Sequence, residues 1–194
     1  MTARAEEIAA FLARAGFEGA ALAPLAQDAS FRRYWRVASG HVLMDAPPPE
    51  DAAAFVRMAR WLAGIGVRVP GIVAADEAVG LVLEEDLGDA MLSEALDADG
   101  DAAALLGAAA EALIPIQRAA PPPGLPRWGA PEMAVAAMGT LFDWWWPARF
   151  GAAAPEAARR DVGAALDAML APLADGPRCV VHRDYFAGNL MVVG

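Results

Sequence analysis

The chain has 194 residues, room for one large domain or two small lobes around a cleft, and no apolar run approaches the roughly 20 residues that span a bilayer. Its net charge of −10 argues against nucleic acid as a partner, and its single cysteine, Cys179, excludes an internal disulfide and fits a reducing cytoplasm. Hydrophobic residues make up 57% of the chain, much of it alanine, and all 15 basic residues are arginine, so no lysine is available to any site.

Residues 4–16 read as an amphipathic helix closed by Gly16, with acids that set it apart from a signal peptide. Residues 22–26 read as a short strand or extended entry and 27–30 as a turn. Residues 31–37 and 41–46 read as two strands joined by a turn at Ser39 and Gly40. His41 reads as a surface residue of the second strand. Three prolines at 47–49 stop that strand. A helix over 50–64 follows, with Phe55, Met58, Ala59 and Leu62 on one face and Gly64 or Gly66 as its stop. A short strand lies within 67–76. Residues 81–87 form another, whose apolar run breaks into acids. Glu84, Glu85, Asp86 and Asp89 read as solvated or backbone-capping rather than as a metal site.

After Asp89 the texture becomes helical: 90–98, 101–119, 131–151, and a last helix from Pro155 to about Leu173. The cluster Phe142, Trp144, Trp145, Trp146 and Phe150 reads as helix-packing core or lobe interface, with sugar stacking as the sharper alternative. Strands are expected at 178–181 and 190–193, flanking a loop over 182–189. Cys179 reads as a small buried hydrophobe on the first of these. This is an α+β layout, with a β-rich first lobe and a helical second lobe.

Within the loop, His182, Arg183, Asp184 and Asn189 form H-R-D-x-x-x-x-N. In phosphoryl transfer the aspartate orients or accepts the proton of the attacking hydroxyl. The asparagine, five residues on, offers a neutral oxygen to Mg²⁺. That spacing lets one loop present both groups to one cleft.

Four stretches, QDASFRRYWRV (27–37), HVLMDAPPPED (41–51), VPGIVAADEAVGLVLEEDLGD (69–89) and VHRDYFAGNLM (181–191), together resemble the aminoglycoside phosphotransferase family of the protein-kinase-like fold. LFDWWWPARFG (141–151) adds to the likeness. The narrower resemblance is to the bacterial anomeric kinases for N-acetylmuramate and N-acetylglucosamine of cell-wall recycling. It implies a two-lobe fold, with residues 1–87 as the nucleotide-binding lobe and 88–194 as a partial helical lobe ending just after the catalytic loop. It implies ATP and Mg²⁺, a small-molecule amino sugar as acceptor, and a cytoplasmic setting without membrane or nucleic-acid partners.

Residue by residue, the resemblance makes Asp184 the catalytic base and Asn189 a Mg²⁺ ligand. Ala29, Ser30 and Phe31 would lie over the ATP phosphates with their backbone N–H groups, and Arg32 or Arg33 would reach phosphate. Glu85 and Leu87 would hold adenine through backbone C=O and N–H. The usual phosphate-binding lysine should fall near Met44, where none stands. Glu50 stands where the helix acid that pairs with such a cation would be, and with no lysine to meet it reads rather as an ordinary acid at a helix start. A second metal-binding aspartate should follow the loop, and the chain reads as stopping before it. The expectation is therefore a chain that alone turns over little or not at all, with an apolar edge prone to self-association. Another small-molecule kinase of the same fold, or a non-catalytic nucleotide-binding fragment, is the competing reading.

Overall fold

The computed structural model describes residues 3–25, 31–38, 40–98 and 100–193. They divide into two compact units, 1–119 with 182–194, and 120–181.

The first unit is built on five strands: β1 (Leu22–Pro24), β2 (Arg33–Val37), β3 (His41–Asp45), β4 (Ile72–Asp76) and β5 (Leu81–Glu85). They form one antiparallel sheet in the order β1-β2-β3-β5-β4. Register sorts the side chains. Trp35, Leu43 and Leu83 face one way, and Tyr34, Met44 and Val82 face the other.

Helix α1 (Ala3–Arg14) covers the first face. Its Ile8, Phe11 and Leu12, spaced for one helical stripe, are buried against Val37, Leu43, Leu81 and Leu83. Each such burial is worth about 1.5–3 kcal/mol. Arg4 reaches down to the fully buried Asp45 carboxylate, donating from Nε at 3.0 Å and from Nη2. Helix α2 (Ala52–Gly64) covers the other face, capped by Asp51, whose carboxylate accepts from the Ala54 N–H at 2.8 Å. Its buried residues are Ala52 and Val56, packed on Met44, Ala46 and Val82. The expected stripe of Phe55, Met58, Ala59 and Leu62 is only half-buried, with Phe55 packed against that cluster.

Gly80, in the turn into β5, has φ +79°, and a β-carbon there would stand 2.2 Å from the Ala46 carbonyl oxygen. The turn is closed by Gly80 N–H donating to Asp76 C=O at 2.8 Å, and Gly80 C=O accepts from Ala46 N–H at 2.8 Å. Only glycine allows both features.

Helices α3 (Leu92–Asp97) and α4 (Ala102–Arg118) belong to this same unit. Asp101 caps α4 by accepting from the Ala103 and Ala104 N–H groups, both at 3.1 Å. The inward stripe of α4 runs Leu105, Ala109, Ala112, Ile116, in helical spacing.

The second unit contains α5 (Ala130–Gly139), a π-helical segment (Thr140–Trp145), α6 (Trp146–Phe150) and α7 (Glu156–Leu170). Phe142 is buried, with the Arg159 guanidinium 5.0 Å above its ring. Arg159 also donates to Asp143 at 2.8 Å. Trp144 is 80% exposed and Trp145 50% exposed, against the expected core role. Successive residues of a helix point about 100° apart, so a run of three tryptophans cannot share one inward direction.

Two further expectations fail. Neither 178–181 nor 190–193 forms a strand ladder; the latter makes one isolated bridge, Met91 with Met191. A strand is a pairing, and valine-rich sequence without a partner remains extended chain. Cys179, lacking a pleat to bury it, is exposed. Among the described residues, no helix is long and apolar enough to cross a membrane.

Candidate active site

The loop after residue 181 is tied to its unit at three points. The Tyr185 hydroxyl donates to the Ala109 carbonyl of α4 at 2.6 Å. Leu92 N–H donates to Leu190 C=O, and Val192 N–H to Ala90 C=O, both at 2.8 Å. His182 packs edge-on against the Tyr185 ring, centroids 5.2 Å apart, which gives it the packing role its place in the motif suggests. Arg183 has φ +71°, in the left-handed region, which costs a non-glycine residue about 1 kcal/mol. The chain turns sharply there and presents the next side chain, Asp184, to solvent. A short 3₁₀ turn (Ala187–Asn189) then returns Asn189 to it. The Asn189 amide donates to the Asp184 carboxylate at 2.8 Å and to the Asp184 carbonyl at 3.0 Å.

The loop thus brings the Asp184 and Asn189 side chains into direct contact. The Nδ2 contact fixes the Asn189 side chain so that its oxygen points away from Asp184, and one Asp184 carboxylate oxygen is oriented. Among the described residues no group of three or more His, Cys, Asp or Glu could hold a metal. Mg²⁺ needs fewer protein ligands than that, since phosphate oxygens and water complete its octahedron. An amide oxygen beside a carboxylate fits such a half-site.

The nucleotide-side candidates separate. Ala29 and Ser30 lie outside the described residues. Phe31 is 67% exposed. Arg32 lies on the α2 side of the sheet, donating from Nε to Glu50 Oε2 at 2.7 Å, with its guanidinium 5.7 Å from the Phe55 ring. Arg33, one residue on, falls on the opposite face, where its Nε stands 4.0 Å from buried Asp45. Sequence reading left the two arginines equivalent, and strand alternation distinguishes them.

Glu85 donates its N–H to the Gly71 carbonyl at 2.9 Å, and its carboxylate takes two hydrogen bonds from Arg68, at 2.7 and 2.6 Å. That fork and the Gly71 N–H hold the Glu85 carboxyl down to about 2. Arg36 grips the next stretch, donating to Asp86 at 2.6 Å and to Asp89 at 2.7 Å. Leu87 borders a largely apolar cavity of about 470 Å³ that also reaches Ala109, Ala112, Tyr185, Asn189 and Met191. Alanines on the α4 stripe leave that space open.

Glu84 departs from the solvated reading of the acid run. It is buried, 6% exposed, with Oε2 unpartnered among the described residues. Burial pushes its carboxyl up to about 7, against the lowering influence of the Arg32 charge. Strand period explains it, since 82 and 84 share the α2 face. His41 is likewise less exposed than a surface residue, its ring edge-on to Phe17 at 4.8 Å and its Nδ1 buried.

A five-stranded antiparallel sheet flanked by helices, in one unit with an Asp–Asn loop, defines the kinase-like fold of small-molecule phosphotransferases. Residues 21–194 match the phosphotransferase enzyme family, and the chain belongs to it. It is similar to the N-acetylmuramate/N-acetylglucosamine kinase of Pseudomonas aeruginosa, 38% identical over 178 residues, covering 89% of this chain and 52% of that protein. It is 32% identical over 223 residues to the kinase of the same name from Caulobacter vibrioides, covering 94% of this chain and 61% of that one. The crystal structure of a choline/ethanolamine kinase family protein from Mesorhizobium loti shares the fold, with TM-score 0.67 at 20% identity over 97% of this chain and 61% of that chain. The chain thus spans about half the length of the curated relatives it matches.

Proposed function

We propose that this chain carries the nucleotide lobe and catalytic loop of an ATP-dependent kinase that phosphorylates an amino sugar of the N-acetylmuramate/N-acetylglucosamine class, at the anomeric hydroxyl. The observation that carries the reading is the Asp184–Asn189 pair in a chain that is 38% identical over 178 residues to a kinase of that name. In this reading Asp184 orients the sugar hydroxyl and takes its proton as the bond to phosphorus forms. Asn189 offers its oxygen to magnesium, which when bound supplies positive charge to the phosphoryl oxygens. Leu87 and the Glu85 carbonyl face the adenine, and Arg32 faces the phosphates. A cytoplasmic enzyme of cell-wall recycling, without nucleic-acid or membrane partners, is the setting this chemistry suits.

The test measures ADP release with the chain joined to the remaining half of the Pseudomonas aeruginosa relative. Release that depends on N-acetylmuramate or N-acetylglucosamine, and is lost in D184N, supports the reading. Release driven by choline or an aminoglycoside, with neither sugar active, sinks it.

A further inference from the structure

Leu87 borders the open cavity of the first unit, and among the described residues its backbone N–H meets no acceptor. An unpaired main-chain donor is uncommon in a folded chain, so this one is open to a partner. The residues on either side of it are held. Arg36 of β2 spans the stretch with two edges of its guanidinium. Nε and Nη2 donate to Asp86 at 2.6 and 3.3 Å, and Nη1 and Nη2 donate to Asp89 at 3.2 and 2.7 Å. The Asp86 carboxylate also accepts from the Gly88 N–H at 2.9 Å, and the Asp86 N–H donates to the Gly40 carbonyl at 3.0 Å. Leu87 and Gly88 are the two residues between the anchored acids. Arg36 holds the Asp86 carboxyl below the ordinary carboxylate range, so this grip is charged at neutral pH.

We infer that Arg36 is a positioning residue, which fixes the Leu87 N–H as the donor to the adenine ring. The inference rests on the nucleotide-binding reading above and deepens it. Adenine offers one ring acceptor, N1, on the edge that also carries its 6-amino group, and a single fixed N–H reads it. A donor that is already immobile gives up little backbone freedom when the base arrives, and that freedom otherwise costs affinity. Arg36 supplies the immobility from the sheet, so the segment that meets the base takes its position from β2. Each carboxylate receives two hydrogen bonds from one planar group, an arrangement that an ammonium cannot reproduce.

Calorimetric titration of the chain with ATP, adenosine and 1-deazaadenosine, whose ring lacks the N1 acceptor, tests this. The wild-type chain is expected to prefer adenosine to the deaza compound. Arg36→Met should weaken adenosine by about tenfold and leave 1-deazaadenosine nearly unchanged, so that the two converge. Arg36→Lys should recover little of the loss, since one ammonium does not fork to two carboxylates. Asp89→Asn removes one fork at its exposed end. It should give a smaller loss of the same pattern and add nothing to Arg36→Met, the non-additivity of two residues acting as one. If Arg36→Met does not fold, Asp89→Asn decides. A wild-type chain indifferent to N1, or variants that keep the preference for adenosine or weaken both compounds equally, overturns the assignment. Absence of binding of ATP and adenosine alike to the wild-type chain overturns the nucleotide reading itself, a different result.

Discussion

The Asn189 side-chain amide donates to the Asp184 carboxylate at 2.8 Å, so the two side chains orient each other before any ligand arrives. Preorganisation of this kind is where phosphoryl-transfer enzymes obtain most of their rate. Asp184→Asn in the chain joined to a relative's remaining half should lower kcat by about 10²–10⁴-fold with little change in KM for ATP, as loss of a general base does. Asn189→Ala should lower kcat and also raise the magnesium concentration needed for half-maximal rate. Steady-state kinetics over a magnesium series checks both.

Glu84 offers a test of stability against pH. Its carboxyl is raised to about 7 by burial, while in the unfolded chain it titrates in the ordinary carboxylate range. Between those values the folded state binds the extra proton, so stability is full below the unfolded value and falls as pH rises through about 7. Glu84→Gln should remove that loss, gaining roughly 3 kcal/mol at pH 8 relative to wild type and far less at pH 4. Urea melts at the two pH values measure it. Equal gains at both would contradict the buried-acid account.

The Arg68–Glu85 fork lies at the surface, where solvent and salt screen it. The lowered Glu85 carboxyl means its contribution is present at neutral pH and is lost as the solution is acidified from the ordinary carboxylate range through about 2. Glu85→Gln should cause a small fall in melting temperature at low salt, and the difference should shrink in 1 M salt. Thermal melts across a salt series check the sign.

Gly80 should tolerate no side chain. Alanine there would meet the Ala46 carbonyl oxygen at 2.2 Å in a conformation with φ +79°. The β3 end or the turn must shift, and the expected cost is about 2–4 kcal/mol. The denaturation midpoint of Gly80→Ala gives the value. A midpoint within experimental error of wild type would show that the turn repacks freely.

Much of this fold was legible because its signals are local. Ile8, Phe11 and Leu12 repeat at helical spacing, Asp101 caps α4, and Gly40 sits at the turn between β2 and β3. What the sequence did not disclose depends on partners and on parity. The valines at 180, 181, 192 and 193 favour extended chain but do not say whether a neighbour exists. Arg32 and Arg33 are chemically identical, and only the register of β2 sends them to opposite faces. The same alternation puts Glu84 inside and Glu85 against Arg68, in a run of acids that reads as uniformly solvated. Asp184 and Asn189 were readable as a pair because one short loop carries both. Glu50 was visible as an acid at a helix start, but its partner was sought among lysines.

The bridge between Met91 and Met191 joins positions about a hundred residues apart, and the hydrogen bonds on either side of it come from Leu92 and Val192. Closing so long a span is entropically slow, so the loop is expected to dock after the sheet and α4 have formed. The 182–193 segment should therefore open before the sheet does. The Leu92 and Val192 amides should exchange with solvent deuterium well before those of β3 and β5.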